Sequence, residues 1–202
     1  LMERVMDDLR NNPDLAGKLW GQVAQIPTYL DRAHADTGNA DYEGSRRYEV
    51  RYPVSVGGAL VSAAAPLSID EVTEKEAWLL DTIEEELAEG RPCMVLVWNT
   101  RSGLAQRLER MAQARFGKSG VVTLDAARVQ ASKRQAWIDS QVVAKRRKVL
   151  IVNPRAVETG LNSLVYFPTA IWYQNPNCSS IVYTQANGRI HRPGQETDEV
   201  RV

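Results

Sequence analysis

Cysteine is scarce in this chain: Cys93 and Cys178 are the only two in 202 residues, and they stand far apart. No histidine or second cysteine lies near either one at the short spacing a tetrahedral zinc site requires. The sequence therefore argues against a disulfide framework or a zinc cluster, and no metal ligand is nominated. A reducing compartment fits best. Long apolar runs are missing too. None reaches the roughly 18 residues that would cross a bilayer, and Leu1-Met2-Glu3-Arg4 does not read as a signal peptide. No membrane partner is expected.

Net charge is absent as well, but the zero hides a division. Residues 1–90 carry 8 Lys/Arg against 18 Asp/Glu, whereas residues 91–202 carry 17 against 7. The two parts thus differ by a net −10 against a net +10. Charge separated in this way points to polyanion binding by the basic part. An apolar content of 44% is enough for a real core.

The first 30 residues have helical spacing, with Leu1, Val5 and Leu9 followed by Leu15, Leu19, Trp20, Val23 and Ile26. Residues 31–47 are polar, and residues 48–66 read as short strands around a Gly57-Gly58 turn. Ser68 and Glu71 predict a capping box for the next helix. Val72, Leu79, Ile83 and Leu87 are its expected buried face, and Glu84, Glu85 and Glu86 its wet one. From residue 93 onward, strand-like and helix-like stretches alternate. Strands are expected at 94–98, 120–124, 149–152 and 169–173, with a fifth beginning near 198. Helices are expected around Leu104, Leu108 and Met111 and over about 130–143. This alternation implies βαβ units and a parallel sheet, whose ligands gather beyond the carboxyl ends of the strands.

Most of the chemistry lies in Gln185-Ala186-Asn187-Gly188-Arg189-Ile190-His191-Arg192-Pro193-Gly194-Gln195. On a continuous helix Gln185, Arg189 and Arg192 share one face with Gly188. A glycine inside a helix costs about 1 kcal/mol, so close approach of another group to the backbone is expected there. Two guanidinium forks on one face suit a polyphosphate, and an arginine there favours the charge of a phosphoryl-transfer transition state. A second string, Asn153-Pro154-Arg155-Ala156-Val157-Glu158-Thr159-Gly160-Leu161-Asn162, follows the 149–152 strand.

The Gln-x-x-Gly-Arg-x-x-Arg pattern resembles the sixth conserved motif of superfamily 2 helicases. With His191 before Arg192 and Pro-Gly-Gln after it, the string is similar to the Swi/Snf version. Gly188 agrees instead with the DEAD-box pattern, which keeps an RNA helicase lobe as an alternative beside a non-catalytic nucleic-acid-binding scaffold. Gly160-Leu161-Asn162 resembles the core of the Swi/Snf fifth motif, although Val157 and Glu158 stand where glycines are common. Residues 94–98 with Asn99-Thr100 resemble the fourth motif, and Leu124-Asp125 with Arg134 and Trp137-Ile138 the segment after it.

The resemblance implies a RecA-like α/β domain over residues 66–202, a parallel sheet flanked by helices, preceded by a helical/β accessory segment over 1–65. It implies Arg189 and Arg192 as the catalytic pair, and Gln185, Gly188, Glu158, Gly160 and Asn162 near the nucleotide. Asn99, Thr100, Arg101, Arg155 and Thr159 would meet nucleic acid, double-stranded DNA by the Swi/Snf likeness. No Gly-x-x-x-x-Gly-Lys-Ser/Thr loop and no Asp-Glu-x-His occurs in the chain. ATP and Mg²⁺ would be held mainly by an N-terminal RecA-like lobe of the same protein, so this part alone is expected to be inactive. A cytoplasmic or nucleoid-associated place, nuclear in a eukaryote, follows from a DNA substrate.

Two smaller features have plainer readings. Lys145-Arg146-Arg147-Lys148 offers cations to DNA phosphates but reads more simply as a solvated helix end. Trp137 and Trp172 sit in apolar strings and are expected in the core.

Overall fold

The computed structural model describes residues 49–52, 59–63, 71–98, 103–158, 160–174 and 180–202. The expected helices of the first 30 residues, Gly57-Gly58, Ser68, Asn99, Thr100, Arg101 and Thr159 lie outside these residues. The chain divides into two units, Leu1–Glu71 and Val72–Val202. The first contains an antiparallel pair, β1 (Glu49–Tyr52) and β2 (Ala59–Ala63), with a register shift between Val50 and Arg51.

The second unit is built on four parallel strands: β3 (Cys93–Leu96), β4 (Val121–Leu124), β5 (Val149–Val152) and β6 (Thr169–Trp172). Their order across the sheet is β4-β5-β3-β6. The expected fifth strand begins as a parallel bridge between Thr169 and Arg201. Side chains alternate between the faces, as the pleat dictates. Cys93, Val95, Val149, Ile151 and Ile171 join one core with Leu79, Ile83, Leu104 and Leu108. Met94, Leu96, Leu150, Val152 and Ala170 join the other with Ile138, Val142, Phe167, Ala186 and Ile190. The Cys93 thiol is pushed up to about 12, chiefly by burial.

Helix α1 (Glu74–Ala88) and α2 (Leu104–Phe116) supply the first core. The cap of α1 is Thr73, whose hydroxyl accepts from Glu76 N at 3.3 Å while Glu76 Oε2 accepts from Thr73 N at 3.0 Å. The capping box is therefore real but sits five residues beyond the expected Ser68. Val72 consequently precedes the helix and is exposed rather than buried. Glu76 also holds Arg107 of α2, Nε to Oε1 at 2.6 Å and Nη2 to Oε2 at 3.1 Å, in a buried fork. A pattern of apolar residues does not register such a pair, because both members look like surface residues.

Glu86 departs furthest from expectation, being buried while Glu84 and Glu85 are exposed. Its carboxylate accepts from Arg91 at 2.6 and 3.0 Å, from Thr169 Oγ1 at 2.6 Å and from Arg201 Nη1 at 2.9 Å. It ties α1, the entry to β3, the start of β6 and the fifth-strand bridge to one point.

On the opposite face, the expected helix over 130–143 is three joined pieces. A 3-10 turn (Ala131–Lys133) leads into α3 (Arg134–Ile138), and a wider π turn (Asp139–Val143) completes it. Trp137 and Trp172 are partly buried and pack against that core. Helix α4 (Pro154–Val157) and α5 (Ser180–Asn187) close the layer. Among the described residues no helix is long and apolar enough to cross a membrane.

Candidate functional site

The carboxyl ends of β3, β5 and β6 are bound to one another by side chains. Asn153, directly after β5, caps α4 by accepting from Arg155 N at 3.0 Å, with Pro154 in the first helical position. Its amide donates to Trp98 O at 2.9 Å, and Trp98 N donates to Gln174 Oε1 at 2.7 Å. Three strand ends thus become one platform. Asn153 opens the string singled out after β5, but its hold on Trp98 needs the parallel pairing of β3 with β5.

From this platform the 153–162 segment loops out and is held from below by α3. Arg134 donates to Ala156 O at 3.3 Å, and Gln135 Oε1 accepts from Asn162 N at 2.8 Å. The Gln135 amide also reaches Ser163 Oγ at 2.6 Å, and Ser163 donates to Asp139. Gly160 has φ of 72°, a left-handed conformation that glycine adopts without the Cβ clash other residues meet. Gly160, Asn162 and Arg155 are exposed, and Glu158 is half-buried.

Helix α5 ends at Asn187, before the arginines rather than beyond them. Gly188, Arg189 and Ile190 form a turn, closed by bonds from Gly188 N to Thr184 O and from Arg189 N to Ala186 O. The expected i, i+4, i+7 face is therefore not what aligns the two arginines. Gln185 stands exposed on α5, and no hydrogen bond joins it to either of them among the described residues. What lies close to Gly188 is its own helix: a Cβ there would meet Thr184 O at 3.0 Å. A side chain there would crowd that carbonyl, and the groove beside Gly188 is open.

The arginines nevertheless converge on the 153–162 loop. Arg189 Nη2 donates to Glu158 O, and Arg192 Nη1 to Asn162 Oδ1 at 3.2 Å. Both strings singled out in the sequence thus meet at the carboxyl end of the sheet, where ligands of parallel α/β proteins collect.

Arg189 is only 8% exposed, and its Nε has no hydrogen-bond partner. Burial, and then the charge of Arg192, lower its affinity for the proton, yet a guanidinium still stays charged at any working pH. Glu158 Oε1 is likewise buried without a partner. Orphaned polar atoms of both signs mark a site that is not completed within these residues. An anionic oxygen such as that of a phosphate would satisfy Arg189 Nε, whereas Glu158 Oε1 would need a donor or a cation.

Arg192 is half-buried and lines an open groove of about 840 Å³ with Tyr183, Thr184, Asn187, Gly188 and His191. The turn behind it is locked by Gln195, whose amide donates to Ile190 O at 2.9 Å and whose Oε1 accepts from Glu196 N and Thr197 N. Arg134 and Gln195 stood within the motif strings but were not read as positioning residues, and Gln135 carried no signal, since each acts across a turn or between elements.

No protein-family model matches the chain, and no curated protein sequence does. Among solved structures, it is similar to the C-terminal part of the Fun30 ATPase domain, with a TM-score of 0.54 and 22% identity. The match covers 67% of this chain and 42% of that one, so the chain spans about two fifths of its structural neighbour. The RecA-like α/β arrangement expected from the motif resemblance is the fold observed.

Proposed function

We propose that this chain contains the C-terminal RecA-like lobe of an ATP-driven motor on double-stranded DNA, and that Arg189 and Arg192 serve its nucleotide site. The observation that carries the reading is the buried, half-satisfied guanidinium of Arg189 beside the accessible Arg192, the first bonded to Glu158 and the second to Asn162. A cation kept out of water without a counter-charge costs folding free energy, so it suits a place where an anion arrives. ATP with Mg²⁺, held mainly by an N-terminal lobe, supplies the phosphoryl group that is transferred to water.

Arg192 offers a planar donor fork from the rim of the groove, and Arg189 adds fixed charge behind it. Asn162 holds Arg192 in place, and Glu158 and Gly160 shape the loop between them. Gln185 is exposed one turn earlier, free to meet the other lobe. Arg155 is exposed on the same loop and, with Asn99, Thr100, Arg101 and Thr159, forms the proposed track for a DNA backbone. Contacts of that kind read phosphates rather than bases and weaken as salt rises. A motor of this class works where DNA is, in the bacterial cytoplasm or nucleoid or in a nucleus.

Two measurements of ATP turnover test the reading. The 202-residue chain by itself is expected to hydrolyse no ATP, with or without duplex DNA, because it contains neither a phosphate loop nor Asp-Glu-x-His. The complete protein is expected to hydrolyse ATP and to do so faster with duplex DNA. Turnover by the chain alone would overturn the half-motor reading, and a complete protein inert towards ATP would leave a nucleic-acid-binding scaffold.

A further inference from the structure

The sheet has a second charged end. The turn before β4 contains Lys118, and the turn before β5 contains Lys145, Arg146, Arg147 and Lys148. Because β4 and β5 are adjacent and parallel, with Val121 opposite Val149, both turns lie side by side at the amino ends of the strands. The 153–162 loop and the two site arginines lie at the other ends.

Arg147 fastens the turns together. Its guanidinium donates to Lys118 O at 3.0 Å, Ser119 O at 2.7 Å and Gln141 O at 3.3 Å. Gly120 O accepts from both Lys148 N and Val149 N, and the Lys148 side chain lies close over Gly120. The remaining cations, Lys118, Lys145, Arg146 and Lys148, are exposed, and none forms an ion pair among the described residues. A solvated helix end does not account for this. One or two cations satisfy a helix C-terminus, whereas here four gather from turns 27 residues apart in sequence (118 to 145), at the cost of mutual repulsion.

Arg146 adds a second observation. Its φ is 49°, the one left-handed non-glycine residue among those described. Glycine is the usual occupant of such a position after a helix because a Cβ clashes there. Keeping arginine instead holds a cation in the cluster against a backbone penalty, and strain of this kind collects at functional sites.

We infer that these two turns form a second polyanion-binding surface, specific for the phosphate backbone of nucleic acid and separate from the site at the carboxyl ends. The composition of the patch selects this partner. Gly117 and Ser119 are small and exposed and let a rigid backbone come close, and the nearby aromatic side chains, Phe116 and Tyr166, are half-buried and packed against the cores rather than free to stack on a base. An acidic protein segment would ordinarily need apolar anchors as well. The exposed large hydrophobic residues Val72, Trp78, Ile181, Tyr183 and Val202 all belong to other segments.

The test is an anisotropy titration of a short fluorescein-labelled DNA duplex with the 202-residue chain, from about 50 to 200 mM salt. The variant combines Lys118→Gln, Lys145→Gln, Arg146→Gly and Lys148→Gln and leaves Arg147 in place, so the clasp survives and the left-handed residue is relieved. A melting curve checks that the variant folds like the parent. Binding should weaken about tenfold or more at the low-salt end, and the slope of log K against log salt should fall by about 3.6, as the loss of four phosphate contacts requires. A control neutralising the exposed Arg128 and Lys133 should lose clearly less per charge. Unchanged or tighter DNA binding by the quadruple variant would overturn the inference and leave an acidic protein segment as the occupant. Equal loss per charge in the control would overturn it too, by reducing the effect to overall charge.

Discussion

Replacing Arg192 with alanine in the complete protein is expected, on the proposed function, to lower DNA-stimulated ATP turnover by about 10³–10⁵-fold, the range by which arginine fingers act. The fold should survive, because the side chain is half-buried on a groove rim and its bond among the described residues is the one to Asn162. ATP affinity should change far less than turnover, since the other lobe would hold most of the nucleotide and the arginine acts on charge that develops in the transition state. Arg192→Lys should restore little, because a point charge lacks the planar fork. Arg189 is a poorer probe: it is buried, so its loss would mix a folding defect with a catalytic one. Near-normal turnover combined with lost DNA affinity would show that this turn faces nucleic acid instead, and the proposed role would fail.

Glu86→Gln should destabilise the lobe by roughly 3 kcal/mol, a drop on the order of 10 °C in Tm. An acidic side chain in the last turn of a helix opposes the helix dipole, so something must outweigh that cost. Arg91 does so first, then Thr169 and Arg201, and together they hold the Glu86 carboxyl at about 2 although burial alone would raise it.

The folded value lies below the unfolded one, so the stabilisation is present above about pH 4.5 and is lost as the pH falls towards 2. Urea unfolding at several pH values in this window should show the parent losing stability that the variant never had. If both fall in parallel, other carboxylates govern acid unfolding and Glu86 is not the latch between α1 and β6. The expected effect is far larger than that of an exposed ion pair such as Arg115 with Asp81, where solvent screens the charges.

Near neighbours and repeating patterns were readable in the sequence by itself. Alternation of apolar strands with helical stretches determined a parallel α/β sheet, and all four strands were located to within about two residues. The motif strings marked the two segments that meet at the carboxyl end of the sheet, because their residue types are restricted enough to stand out in a single chain. Helix ends were harder to read. The sequence reading put the cap at Ser68, whereas in the fold Thr73 caps the helix through Glu76, which also holds Arg107 in the core. Extending α5 to Arg192 preserved the helical period, but the chain turns at Gly188, and the arginines align through Glu158 and Asn162 instead.

Glu86 looked like a surface residue because its partners Arg91, Thr169 and Arg201 come from β-strand flanks as far as 115 residues away. The charge of Lys145–Lys148 was visible throughout, but its alliance with Lys118 was not. Local sequence encodes hydrogen bonds of short range and the period of a buried face. Which polar groups lose their water, and which cations are forced together, depends on the order β4-β5-β3-β6, and strand order is decided only when the whole sheet assembles.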